Sequence, residues 1–287
     1  MLKRKLGRTG KKVSVFGFGG IVVKDMVQEK ADKIVKEAIE RGVNYFDVAP
    51  NYGDAQEKLG PALKPYRDQA VLACKTDKRT RDEAKRELHE SLELLETDHF
   101  DVYQLHGIDD PDEIKTALGD GGALEAFEEA RDEGLIHNIG FSCHSQPSAL
   151  KLMESYDFDT VLFPINWCYW LNRGAGKKVL EKANSRNMGI IAMKGLAHRP
   201  WQNDEDDNLY PNCWYKPIYD DRELAAKALR FTLSRQVSVA LSPGDARMLR
   251  LGLDIVENKE NIGISEKELN ELKELAEKTE PIFDHSV

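Results

Sequence analysis

Short apolar runs alternate with amphipathic helical patterns along this chain, and that alternation decides the fold class. The runs are Val13–Gly20, Val43–Asp47, Val71–Lys75, Phe100–Leu105, IHNIGFS ending at Ser142, TVLFPINW from Thr160, MGIIAMK ending at Lys194, and SVALSPG from Ser238. Between them the apolar period changes from 2 to 3.6. Over Lys30–Arg41, Ala31, Ile34, Val35, Ala38 and Ile39 share one face, and Gly42 follows as a helix stop. Ala84, Leu88, Leu92 and Leu95 make the same stripe over Arg81–Glu96. Further helices are predicted over Ala55–Leu63, Leu124–Glu133, Gln146–Ser155, Ala175–Asn187 and Arg222–Ser234. Ser265 and Glu268 form a capping box that opens a last helix with Leu269, Leu272, Leu275 and Ala276 on its apolar face. Residues Met1–Val15 predict a hairpin turning on Thr9 and Gly10.

Strand starts recur at roughly 25 to 35 residues, the length of a βα unit. Such alternation implies a parallel sheet covered by helices. Eight units, with no composition break to mark a linker, favour one α/β domain over residues 1–287, a closed (β/α)8 or TIM barrel. The first strand is not followed by G-x-G-x-x-G, which argues against a doubly wound dinucleotide fold. The net charge of −9 gives no basic field for nucleic acid, and no run approaches the ~20 apolar residues of a membrane span. The basic N-terminus lacks an apolar stretch of signal-peptide length. Cys74, Cys143, Cys168 and Cys213 are scattered, with no C-x-x-C pair, so free thiols and a cytoplasmic location are expected.

In parallel α/β folds chemistry collects at the carboxyl ends of the strands. Here Asp47 closes Val43–Phe46, Tyr52 follows in the loop, Lys75 closes Val71–Cys74, and DVYQLHG delivers His106. A phenol of pKa near 10 is a poor acid at pH 7 unless assisted. An adjacent ammonium favours its phenolate, and a carboxylate keeps the ammonium charged. With these four residues in their motifs, the chain resembles the aldo-keto reductase superfamily over nearly its whole length. The resemblance implies reduction of an aldehyde or ketone, with Tyr52 as acid, Lys75 and Asp47 supporting it, and His106 orienting the carbonyl.

It also implies NADPH, with NADH possible, lying extended across the barrel mouth. Members of the family hold the nicotinamide carboxamide with Ser-Asn after the fifth strand and a Gln on the sixth. This chain has Ser142 followed by Cys143, and Leu162 at the Gln position, with Asn166 farther along. Met193 stands where a stacking Tyr is usual, and the resemblance implies that Met193 and Lys194 both contact the cofactor. Ser242 and Gly244 in SPGDARMLR match the phosphate end at a helix start, with Arg250 matching the 2′-phosphate ligand and Arg247 beside it. The insertion Gly195–Asp221 carries Trp201, Tyr210, Trp214, Tyr215 and Tyr219, and NWCYW adds more rings. These rings either line a substrate pocket or glue the loop to the barrel. The acidic run Asp204–Asp207 is expected to face solvent.

Other readings compete. A nucleotide-binding regulatory protein with little turnover would explain Cys143 and Leu162. A Schiff-base lyase would use Lys75 as nucleophile. A metal-dependent hydrolase lacks a histidine pair or carboxylate cluster at ligand spacing.

Overall fold

The computed structural model describes residues 1–202, 205, 207–257 and 262–283. It opens with the hairpin, β1 (Lys3–Lys5) and β2 (Lys12–Ser14), antiparallel with Lys3 opposite Ser14. Then come β3 (Phe16–Gly19), α1 (Gln28–Glu40), β4 (Tyr45–Asp47), α2 (Ala55–Leu63), β5 (Val71–Thr76) and α3 (Arg81–Leu94). Two helices, α4 (Pro111–Leu118) and α5 (Ala123–Asp132), follow β6 (Val102–Leu105). Next are β7 (Ile139–Ser142), α6 (Gln146–Ser155), β8 (Thr160–Pro164), α7 (Trp167–Arg173), α8 (Lys177–Ser185) and β9 (Gly189–Met193). The insertion holds a small antiparallel pair, β10 (Ala197–Arg199) and β11 (Lys216–Pro217). The chain continues through α9 (Arg222–Leu233), β12 (Val239–Leu241), α10 (Ala246–Val256) and α11 (Glu266–Ala276).

Strands β3 to β9 pair in sequence, and β12 closes the ring by pairing with both β9 and β3. All eight pairings are parallel. This is the expected closed barrel. Successive side chains in a strand point to opposite faces. Val71 and Ala73 therefore join Tyr45, Val102, Ile191 and Val239 inside the barrel, while Leu72 and Cys74 pack outward under the helices. Leu6 and Val13 of the hairpin belong to the interior cluster and plug its N-terminal end. Arg8 fixes the plug by donating to Asp159 at 3.0 Å and Asp157 at 2.9 Å.

Several boundaries differ from the sequence reading. The run Val13–Gly20 is split: β2 ends at Ser14, β3 starts at Phe16, and the last glycine begins a 3-10 turn, Gly20–Val23. The Ala175–Asn187 helix is shorter, and α7 precedes it. Helix α4 was not expected; Asp110 caps it and Pro111 sits at its first position. The capping box at Ser265 and Glu268 is present as expected.

Candidate active site

The strand parity that buries Ala73 also turns Lys75 into the barrel, one layer higher. Gln104 on β6 pairs with Lys75 in register, Asp47 on β4 pairs with Ala73, and all three polar side chains are buried. The Lys75 ammonium donates to Asp47 Oδ1 in a short contact and to the Val48 carbonyl at 3.1 Å. Gln104 Nε2 donates to the other Asp47 oxygen at 3.1 Å. Burial works against the Lys75 charge, but Asp47 and then Tyr52 outweigh it and hold its pKa above the usual lysine value.

Tyr52 reaches this group from the loop between β4 and α2. Its N–H donates to the Ala49 carbonyl at 3.2 Å, and Gly53 follows with φ +60°, a left-handed turn that suits glycine. The Lys75 ammonium lies 5.3 Å from the centre of the Tyr52 ring. The His106 ring meets it edge-on at 5.9 Å. Net, the phenol pKa is raised: burial is the largest influence, and Lys75 only opposes it. The expectation of a lowered phenol pKa is thus half right, since the ammonium acts in that sense but desolvation wins. Tyr52 rests protonated.

His106 follows β6, and its Nδ1 lies 2.8 Å from Asp77 Oδ1. This contact leaves Nε2 as the free ring nitrogen. Burial alone would raise the Asp77 pKa, but its bond to His106 and that ring's charge bring it below the usual carboxylate value. Asp77 and Gln104 were not singled out from sequence. The available signal was position: each lies two residues from a chosen residue on the same strand end, hence on the same face.

Beside Tyr52 and His106 opens a cavity of about 370 Å³, also lined by Ser142, Leu162, Met193 and Trp214. A narrower cavity of about 70 Å³ continues past Gly19 to Ser242 and Gly244. The structure thus brings together Asp47, Tyr52, Lys75, His106, Ser142, Met193, Lys194, Ser242 and Gly244. It does not bring in Asn166 or Arg250. The Asn166 side chain caps α7 by accepting from the Tyr169 N–H and donates to the Lys194 and Ala197 carbonyls. Arg250 on α10 pairs with Glu37 of α1 at 2.7 Å, outside the barrel mouth.

The aromatic insertion does both jobs. Trp214 lies 6.2 Å from the Tyr52 ring and lines the cavity. Trp201 instead stacks on Tyr210, which meets Tyr219 edge-on, and the Arg247 guanidinium lies 4.4 Å from the Tyr210 ring. The NWCYW rings do not border the mouth: Trp167 and Tyr169 are buried core. In the acidic run, Glu205 turns inward to Arg199 at 2.7 Å and to Lys216, contrary to a solvent-facing role. Asp207 is exposed, and Asp204 and Asp206 lie outside the described residues.

The sequence profile of the Aldo/keto reductase family matches residues 15–243. The chain belongs to that family, whose members are nicotinamide-dependent oxidoreductases. Among curated proteins, an uncharacterized oxidoreductase of Bacillus subtilis is 35% identical over 165 residues, covering 53% of this chain and 51% of that protein. An L-galactose dehydrogenase of Arabidopsis thaliana is 27% identical over 68% of this chain and 65% of its own length. The chain therefore spans about half to two thirds of these relatives. An aldo-keto reductase of Bacillus halodurans, solved in its holo form, superposes with a TM-score of 0.76 at 24% identity over 99% of both chains, a likeness of fold.

The residues present fit the nicotinamide half of such a cofactor. Met193 and Leu162 offer an apolar wall, and Tyr52 stands at its edge. The phosphate end is covered. A Cβ placed on Gly244 would lie 2.2 Å from the Asn212 carbonyl, so the insertion rests directly on that glycine. Asp245 caps α10 with its own carboxylate, and Arg247 holds the Leu209 carbonyl. Residues 209–213 therefore lie over the glycine that the family match assigns to the phosphate end.

Proposed function

We propose that this chain, read as one cytoplasmic barrel domain, reduces an aldehyde or ketone to an alcohol using NADPH, with NADH as the alternative donor. The observation that carries the reading is the convergence of Asp47, Lys75, Tyr52 and His106 on one rim of the 370 Å³ cavity. When bound, the cofactor supplies the hydride. The chain supplies the proton and the geometry. Tyr52, protonated at rest, donates to the carbonyl oxygen as negative charge builds there. Lys75, kept charged by Asp47, stabilises the phenolate that remains. His106, with Nδ1 held by Asp77, orients the carbonyl through Nε2 and stabilises its oxygen. Met193 and Leu162 would shelter the reacting face from water, and Ser142, Ser242 and Gly244, which line the two cavities, would hold the nucleotide. NADPH is placed ahead of NADH only by the family match of Arg250, whose guanidinium is here held by Glu37.

The test is Tyr52→Phe. Turnover with a carbonyl panel is expected to fall about 10²- to 10⁴-fold, with NADPH binding, followed by tryptophan quenching, retained. Absence of NADPH oxidation by the native chain across a broad panel would refute the reading. A second reading, a nucleotide-binding regulator with little turnover, is favoured by one observation. Cys143 gives its thiol to the Ser145 carbonyl and Leu162 is apolar, so neither offers an amide to the nicotinamide. Tight binding without turnover would support it, and brisk turnover would remove it.

A further inference from the structure

The cavity wall at Lys194 carries a positive charge that no carboxylate among the described residues pairs with. Lys194 follows β9 and is enclosed, with only part of its surface reaching the cavity. Its ammonium has a neutral polar neighbour, His144 Nε2, at 3.4 Å. Its other near neighbours are rings, Phe283 at 5.2 Å and Tyr215 at 5.6 Å. Among the described residues no carboxylate pairs with it.

The nearest acid, Asp109, is already committed. One of its oxygens accepts the backbone N–H groups of His144 and Ser145 at 2.7 and 2.8 Å, and the other lies 3.2 Å from His144 Nδ1. Asp109 thereby pins the imidazole so that Nε2 faces Lys194. The lysine backbone is also constrained, at φ +64° in the left-handed region that non-glycine residues rarely adopt. Its carbonyl is tied there by Asn166 Nδ2 at 3.0 Å and the Ala197 N–H at 3.1 Å. Burial brings the ammonium pKa from 10.5 down to about 8, with Asp109 only partly opposing it. An enclosed cation without a counter-ion is costly. A strained backbone and a pinned imidazole that hold one in place beside a reactive centre point to a ligand that supplies the missing charge.

We propose that Lys194 and His144 bind a carboxylate on the substrate, so that the substrates of this site are aldehydes or ketones bearing a carboxylate remote from the carbonyl. This rests on the reductase reading above. One ammonium and one imidazole match a single negative charge, whereas a phosphate dianion would bring a second charge with no partner. The same cavity touches Tyr52 and His106, so one molecule can place its carbonyl at the tyrosine and its carboxylate at the lysine.

The experiment compares 4-carboxybenzaldehyde, the neutral 4-methylbenzaldehyde, and 4-formylphenyl phosphate in the native chain, Lys194→Met and Lys194→Arg. The native chain is expected to favour the carboxylate over the methyl compound about 10- to 100-fold in kcat/KM. Lys194→Met should lose that preference through KM, Lys194→Arg should regain part of it, and the NADPH Kd should change less than about threefold. No preference in the native chain, or a preference for the phosphate, overturns the proposal. So does a Lys194→Met variant that weakens NADPH and lowers both aldehydes alike, since the lysine would then serve the dinucleotide. If the native chain turns over no aldehyde, the reductase reading fails separately. Tryptophan quenching by 4-(hydroxymethyl)benzoate, set against 4-methylbenzyl alcohol, then still reads the anion site. Lys194-dependent binding of the benzoate alone supports the site, and its absence overturns it.

Discussion

At Tyr52 two forces oppose each other. Burial holds the proton on, and the Lys75 ammonium pulls the pKa back down. Removing Lys75 alone would strand the buried Asp47 carboxylate, at a cost of about 3–5 kcal/mol in a typical buried pair. The cleaner variant is therefore Asp47→Asn with Lys75→Met, which removes both charges. Lys75 acts on the phenol more strongly than Asp47, so the double variant should raise the Tyr52 pKa further. Reduction at pH 7 should fall about 10- to 100-fold, and the basic limb of kcat/KM against pH should move upward. A limb that stays in place would show that Lys75 does not tune the phenol. Asp47 and Lys75 were legible because each ends an apolar run, and alternation along the run turns its last side chain inward. Arg250 was not legible in the same way. Its partner Glu37 lies 213 residues away, and only the packing of α10 beside α1 brings them together. Asn166 misled for a different reason, because a capping asparagine and a ligand-binding asparagine look alike at the end of an apolar strand.

At the scale of elements, the helices with the clearest 3.6-residue stripes were placed within a residue or two of their observed ends, since an apolar face must meet the barrel wall. Helices α4 and α7 escaped because each is short, and α7 follows so closely on β8 that its rings read as an extension of the strand. Contact between elements is hidden from sequence in another way. Helix α10 crosses β3 at Gly252, where a Cβ would stand 2.1 Å from the tip of the buried Phe16 ring. That glycine reads as a weakness in a helix but is a packing requirement. Gly252→Val should destabilise the fold by about 1–3 kcal/mol, the range for overpacking a filled core. Urea denaturation would measure it. An unchanged midpoint would mean that α10 shifts freely against β3.

The whole molecule pairs a rigid ring with a strap. Eight strands joined edge to edge leave no free edge, so local opening must begin in the connections. The connection best placed to open is the insertion after β9, which lies over Gly244. Arg247 of α10 ties it to the barrel through the aromatic cluster. Glu205 makes a second clamp within the insertion, joining β10 to β11 by receiving both Arg199 and Lys216. The repeat of βα units made the ring readable in sequence. The strap was visible only as an insertion, because its acidic run gives no sign that Glu205 turns inward. Hydrogen bonds from Arg199 and then Lys216 hold the Glu205 pKa at about 2, below the 4.5 of a free side chain. A carboxylate lowered in the folded state contributes stability above its unfolded value and loses it as the pH falls through its folded one. The clamp should therefore hold at neutral pH, weaken below about 4.5, and be released near 2. Glu205→Gln imitates that release at pH 7. Amide exchange over residues 207–219 should speed up in the variant, while barrel strands such as β5 and β6 keep native protection. If exchange rose equally in strap and strands, the two would unfold as one unit, and the strap could not lift from Gly244 on its own to admit a dinucleotide.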